Sequence, residues 1–223
     1  MISKGGRKMS VRKIVSDGRA KKALFYLLAA LLGGCVPVMS LHPLYTEKDV
    51  VFEERLLGRW VDDPNSPETT WEFNRIEEPK NAYNLVFSDE EGKKGSFVAH
   101  LVSLRSVGTP GKSRLFLDVY PSEPPWETED PNKLELPYNN FFLIPAHTFI
   151  KIDFYGPQLK MWLTNDEDME KLLKEEPNAV KHTFIEDKLI LTAPTKELQD
   201  FILKYADDKR VFKGEIVLDR KKN

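Results

Sequence analysis

Nine short segments of this chain alternate apolar and polar residues, or concentrate β-branched and aromatic ones, and each is bounded by turn residues. They fall roughly over 57–63, 69–76, 82–88, 95–105, 114–120, 141–154, 158–163, 182–192 and 212–219. The turns have physical causes. Asp62-Asp63-Pro64-Asn65-Ser66-Pro67 separates the first two segments, and Asp89-Glu90-Glu91-Gly92 and Gly108-Thr109-Pro110-Gly111 are tight reversals. Tyr155-Gly156-Pro157-Gln158 predicts a hairpin whose first arm alternates Ile150, Ile152 and Phe154 with Lys151 and Asp153. One face of such a strand is buried and the other is wet, as in an antiparallel sheet. Eight or nine consecutive antiparallel strands leave two edges that must be closed or covered. A meander of that length closes into an up-and-down barrel; a two-sheet sandwich is the alternative.

Two helices interrupt the strands. Thr164-Asn165-Asp166-Glu167 reads as a capping box with Thr164 as N-cap, followed by an apolar stripe of Met169, Leu172 and Leu173 and stopped by Pro177. A second helix begins at Thr195 and places Leu198, Phe201, Ile202 and Tyr205 on one face. The longest irregular stretch, Pro121–Tyr138, is a candidate lid or a crossover.

Residues 1–34 follow another pattern. They hold eight basic residues and one acid, Asp17, so the remaining chain has 25 basic and 34 acidic residues. An acidic body of net charge −9 argues against nucleic acid as a partner, because phosphate binding needs a basic face. The apolar run Ala23–Leu32 is too short to cross a bilayer, which takes about 20 helical residues. Preceded by Lys21 and Lys22, it fits the apolar core of a signal peptide. Met9 is an alternative start to Met1, since it shortens an otherwise long basic region. The single cysteine, Cys35, makes an intramolecular disulfide impossible.

Leu32-Gly33-Gly34-Cys35 resembles the lipobox of bacterial lipoproteins, an aliphatic and two small residues before a cysteine. The resemblance implies a thioether-linked diacylglycerol on Cys35, cleavage between Gly34 and Cys35, and a membrane anchor of two or three acyl chains. One chain alone binds marginally, at about 0.8 kcal/mol per buried CH₂. Val36 after the cysteine implies the outer membrane in an envelope that has two. The expected organisation is a lipoprotein signal peptide over 1–34, a lipidated cysteine and tether over 35–50, and one β-rich globular domain over 51–223.

Leu57-Gly58-Arg59-Trp60 resembles the G-x-W motif of lipocalins, and the strand order with a late helix and a short last strand is similar. The resemblance implies that Gly58 and Trp60 pack one end of the barrel shut, beneath Arg210 or Arg220. Leu41-His42-Pro43-Leu44-Tyr45-Thr46, Leu115-Phe116-Leu117-Asp118, Pro145-Ala146-His147-Thr148-Phe149 and Leu191–Gln199 also resemble a group of uncharacterised bacterial lipoproteins with a lipocalin-like domain. That resemblance brings no activity.

The four histidines, His42, His100, His147 and His182, show no metal-ligand spacing. His147 and Asp118 are the best catalytic pair, but no nucleophile motif completes them, so no catalytic residue, cofactor or metal is assigned. The alternating aromatics Trp71, Phe73, Tyr83, Phe87 and Phe97 either fill the barrel core or line a cavity for a small apolar ligand. The expected protein is therefore a membrane-anchored lipoprotein that holds a small hydrophobic ligand. The alternative is a non-enzymatic lipoprotein that meets another envelope protein.

Overall fold

A computed structural model describes residues 37–221, apart from Ser66, Glu68, Lys93, Asp187 and the stretches 106–112 and 123–143. The signal-peptide and lipobox residues, Gly34 and Cys35 included, lie outside the described residues, as does most of the Pro121–Tyr138 stretch.

Eight antiparallel strands close into a barrel. They are β3 (Gly58–Val61), β4 (Thr70–Arg75), β5 (Ala82–Ser88), β6 (Lys94–Arg105), β7 (Ser113–Pro121), β8 (Thr148–Tyr155), β9 (Gln158–Thr164) and β12 (Phe212–Arg220). Each pairs with the next, and β12 returns to β3 with Arg220 opposite Trp60 and Asp219 opposite Val61. This last pairing excludes the two-sheet sandwich, because it leaves the barrel strands no free edge. The Tyr155–Gln158 hairpin forms as the turn residues predict, with Gly156 at φ +58°.

Side-chain parity divides the protein into two cores. Phe73, Leu85, Leu101, Leu117, Ile150, Ile152 and Met161 point into the lumen and are buried. The intervening residues Val102, Phe116 and Phe149 point outward, and they too are buried. A second layer covers them. It consists of α1 (Asp166–Glu175), the hairpin of β10 (His182–Ile185) and β11 (Lys188–Leu191), and α2 (Thr195–Lys204). The outward face of β6–β9, expected to be wet, is thus largely dry. Lys151 shows this: its Nζ donates to the Ala206 carbonyl at 2.8 Å and lies 4.5 Å above the Trp162 ring. A bulge at Gly214, φ +68°, shifts β12 by one residue. The shift lets Phe212 face the outer layer while Ile216 and Leu218 face the lumen.

Local expectations change in three places. The α1 cap is Asn165, whose Oδ1 accepts from the Asp168 N–H at 3.0 Å. Thr164 instead ends β9 and accepts from the Val38 N–H. The segment 182–192 is not one strand but a hairpin turning at Glu186, φ +54°. The expected tether is packed against the domain from Val38 onward. β1 (Met39–Ser40) runs parallel to β11, β2 (Val50–Val51) pairs with β6, and Val38, Ser40 and Leu44 are buried.

Candidate functional site

A short 3-10 helix, Glu54–Leu56, crosses one end of the barrel and shuts it. Its flanks are fixed from several strands. The Glu53 N–H donates to the Tyr83 hydroxyl at 2.7 Å, Glu54 pairs with Arg75, and the Arg55 guanidinium lies 4.5 Å above the Phe154 ring. Trp60 is 2% exposed and its Nε1 donates to the Leu56 carbonyl at 2.8 Å. Arg220 covers it, with the guanidinium carbon 4.6 Å from the ring centroid. Arg220 is itself held by the Leu57 carbonyl, to which Nη1 donates at 2.6 Å, and by the Arg55 carbonyl. Gly58 explains its own place in the motif. It has φ +107°, and a Cβ there would stand 3.0 Å from Arg220 Nη1. Of the two candidate arginines, Arg220 takes this position. Arg210 pairs with Asp208 and Glu175 in the outer layer.

The lumen is filled toward this end. Phe73, Tyr83 and Leu85 are fully buried, whereas Trp71, Phe87 and Phe97, further along the same sheet, are only half-buried. Burial pushes the Tyr83 phenol up to about 12, so it stays a neutral donor to the Glu53 carbonyl.

At the other end of β6, β7 and β8 is a cavity of about 310 Å³. Phe97, Val119 and Pro121 line it from the strands, Ile144–Thr148 from the approach to β8, and Pro37 and Met39 from the N-terminal segment. Its walls are almost wholly apolar. One polar atom stands out: Thr148 Oγ1 is buried and has no hydrogen-bond partner. Two grooves beside α2, of about 780 and 720 Å³, are larger but lined by lysines, acids and amides. A groove of about 900 Å³ beside Trp60 and Arg220 lies at the shut end. Size alone therefore does not select the site; the mouth has the most nearly apolar walls of these four, and Thr148, with its unmatched hydroxyl, is among the residues that line it.

The predicted pair Asp118 and His147 does meet. Asp118 is fully buried, with Oδ1 2.6 Å from His147 Nδ1, and Oδ2 accepts from the Leu44 N–H at 2.6 Å. Ser40 and His147 exchange two backbone hydrogen bonds of 2.9 Å. The Tyr45 ring stacks on His100 at 4.3 Å, and His100 lies opposite Asp118 in the sheet. Among the described residues no nucleophile joins them. The Ser40 hydroxyl is engaged with His42, donating to its carbonyl at 2.8 Å and accepting from its N–H at 3.3 Å. The cluster is a clasp that fastens residues 40–45 across the rim of the barrel. Gln199 Nε2 and Thr195 Oγ1 of α2 complete it by donating to the carbonyls of Leu44 and Pro43, both at 2.9 Å.

The clasp has a pH dependence. Desolvation holds the His100 pKa below its ordinary 6.5; the His147 charge adds to this and the Asp118 charge opposes it. Below pH 6.5 the unfolded chain takes up a proton that folded His100 resists, so stability falls as pH falls from about 6.5 toward the lowered folded value. His100→Phe keeps the stacking on Tyr45 and removes the titration. Urea unfolding at pH 7.5 and 5.5 is expected to show a smaller acid loss in the variant than in the wild type. Parallel losses would remove His100 from the account.

Of the sequence candidates, Trp60 and Gly58 come together at the shut end, Asp118 and His147 at the rim; His42 joins the rim through its backbone alone, and His182 joins neither. Phe97 belonged to the alternating aromatic set. Thr148 had no signal, because its distinction is an unmatched oxygen and not a residue type. In comparisons with protein-family models, curated proteins and solved structures, nothing matches this chain.

Proposed function

We propose that this protein is a bacterial lipoprotein held at a cell-envelope membrane by acyl chains on Cys35, and that its barrel binds a small apolar ligand with one polar end at the mouth. In a two-membrane envelope the site is the outer membrane, because Val36 follows the cysteine. The observation that carries the binding reading is the apolar cavity of about 310 Å³, which Thr148, a residue whose buried hydroxyl has no partner, helps to line. Its volume is at the low end of the ligand-pocket range, roughly 300–1,000 Å³. The packed lumen confines the ligand to the mouth. A fatty acid, with its chain against Phe97 and Val119 and its carboxyl bonded to Thr148, has the required chemistry.

The test uses residues 36–223, one contiguous unit, purified without detergent and titrated with a fluorescent fatty acid. Wild type is expected to show saturable uptake. Ala146→Trp, which fills the cavity, abolishes it. Thr148→Val weakens binding roughly three- to tenfold, the worth of one hydrogen bond, and leaves the unliganded protein equally or more stable, because a buried unmatched hydroxyl is gone. Binding unchanged by Ala146→Trp, or absent from the wild type, contradicts the reading.

One observation favours a second reading, a non-enzymatic lipoprotein that meets an envelope protein. β10 is the edge of the three-stranded sheet β1-β11-β10, and Phe184 and Ile185 on it are exposed. A wild type that takes up no fatty acid would leave this reading in place.

A further inference from the structure

Five large apolar side chains are exposed among the described residues; two lie beside the rim of the mouth and two on the β10–β11 hairpin. Leu41 and Ile144, 44% and 77% exposed, lie within three residues of the Ser40–His147 bridge on the rim. Phe184 and Ile185, 42% and 59% exposed, lie on the β10–β11 hairpin. That hairpin turns toward the start of the described chain. β1 runs parallel to β11 with Met39 opposite Ile190, so the same register carries Pro37 toward Lys188 at the turn. The fifth residue, Tyr155, is in the turn at the far end of β8.

Covalent geometry adds a second, independent constraint. Cys35 is two residues before Pro37, and two extended residues span at most about 7 Å. Pro37 itself lines the mouth cavity. An anchor at Cys35 therefore holds the mouth rim close to the lipid headgroups, and not the end shut by Trp60 and Arg220.

We infer that the mouth of the barrel faces the bilayer, that Ile144, Phe184 and Ile185 rest in its interface, and that the ligand of the cavity is an acyl chain taken directly from the membrane. This deepens the proposed function and rests on the anchor at Cys35. The hairpin charges cancel in the sequence, Lys181 and Lys188 against Glu186 and Asp187, which leaves apolar contact to carry the docking. The arrangement gives the small cavity a purpose that a water-facing cup lacks. A single chain passes from bilayer to barrel past the apolar Pro37, Met39, Ile144 and Pro145 of the cavity wall, which limits its contact with water.

The test uses the full chain, recovered from a bacterial host that processes lipoproteins and reconstituted into phosphatidylcholine vesicles. Single cysteines replace Ile144, Ile185 or, as the far-end control, Tyr155, and are labelled with an environment-sensitive dye. A thioether at Cys35 does not react. Dye at the Ile144→Cys and Ile185→Cys positions is expected to shift to the blue and to be quenched at least twofold by lipids carrying spin labels. Dye at Tyr155→Cys is expected to show neither effect. The intact mass of each sample separates the two ideas. A lipid-modified mass with no quenching at the rim, or with quenching as strong at Tyr155→Cys, overturns the orientation alone. An unmodified chain overturns the anchor and the orientation together.

Discussion

Trp60→Ala is expected to lower the unfolding free energy by about 3–5 kcal/mol, the range for removing a large buried aromatic. The expectation rests on three losses at one place. The indole is 2% exposed at the shut end of the lumen, so the substitution leaves a void that neighbouring strands cannot collapse to fill. The Leu56 carbonyl loses the Nε1 donor it holds at 2.8 Å. Arg220 loses the ring beneath its guanidinium, a contact worth about 0.5–2 kcal/mol by itself. Arg220→Met keeps much of the cover and should cost far less. The double variant should cost less than the sum of the two, because one contact is shared. Urea unfolding checks this. A loss under about 1 kcal/mol for Trp60→Ala would mean that the 3-10 helix shuts the barrel without it.

Cys35→Ser is expected to abolish lipid attachment completely. An acyl anchor is stable only when two or more chains enter the bilayer, each CH₂ contributing about 0.8 kcal/mol. On the proposed reading, drawn from the resemblance of Leu32-Gly33-Gly34-Cys35 to the lipobox, the first two chains would arrive through the sulfur and cleavage would follow that step. Labelled palmitate incorporation should fall to background, and the chain should keep residues 1–34. Label retained by the variant would place the modification elsewhere and remove the reason for reading Cys35 as the anchor.

The barrel was legible because its strands obey a period of two almost throughout. Ile150, Ile152 and Phe154 alternate with Lys151 and Asp153, and the turn at Gly156-Pro157 has the chemistry its geometry needs. Alternation fixes which residues share a face, but it does not say whether the second face is wet. The outer layer over β6–β9 was therefore hidden, although Val102, Phe116 and Phe149 are apolar members of the opposite set. Two-residue strands such as Met39–Ser40 and Val50–Val51 are below the length at which any period shows. The α1 cap moved by one residue, because Thr164 and Asn165 can both cap and the ladder of β9 claimed Thr164. At the site, Asp118 and His147 could be paired by residue type. The partner that satisfies the second carboxylate oxygen, the Leu44 backbone N–H, is set by tertiary packing and carries no mark in the sequence.

Native mass spectrometry of the protein expressed from the complete sequence and released gently from bacterial membranes tests the central claim most directly. The account predicts a polypeptide beginning at Cys35 with covalent diacylglycerol, and a further non-covalent molecule carrying an acyl chain. That molecule should leave on denaturation and be missing from Ala146→Trp. A polypeptide without covalent lipid, or a lipidated one whose native and denatured masses agree, would contradict it.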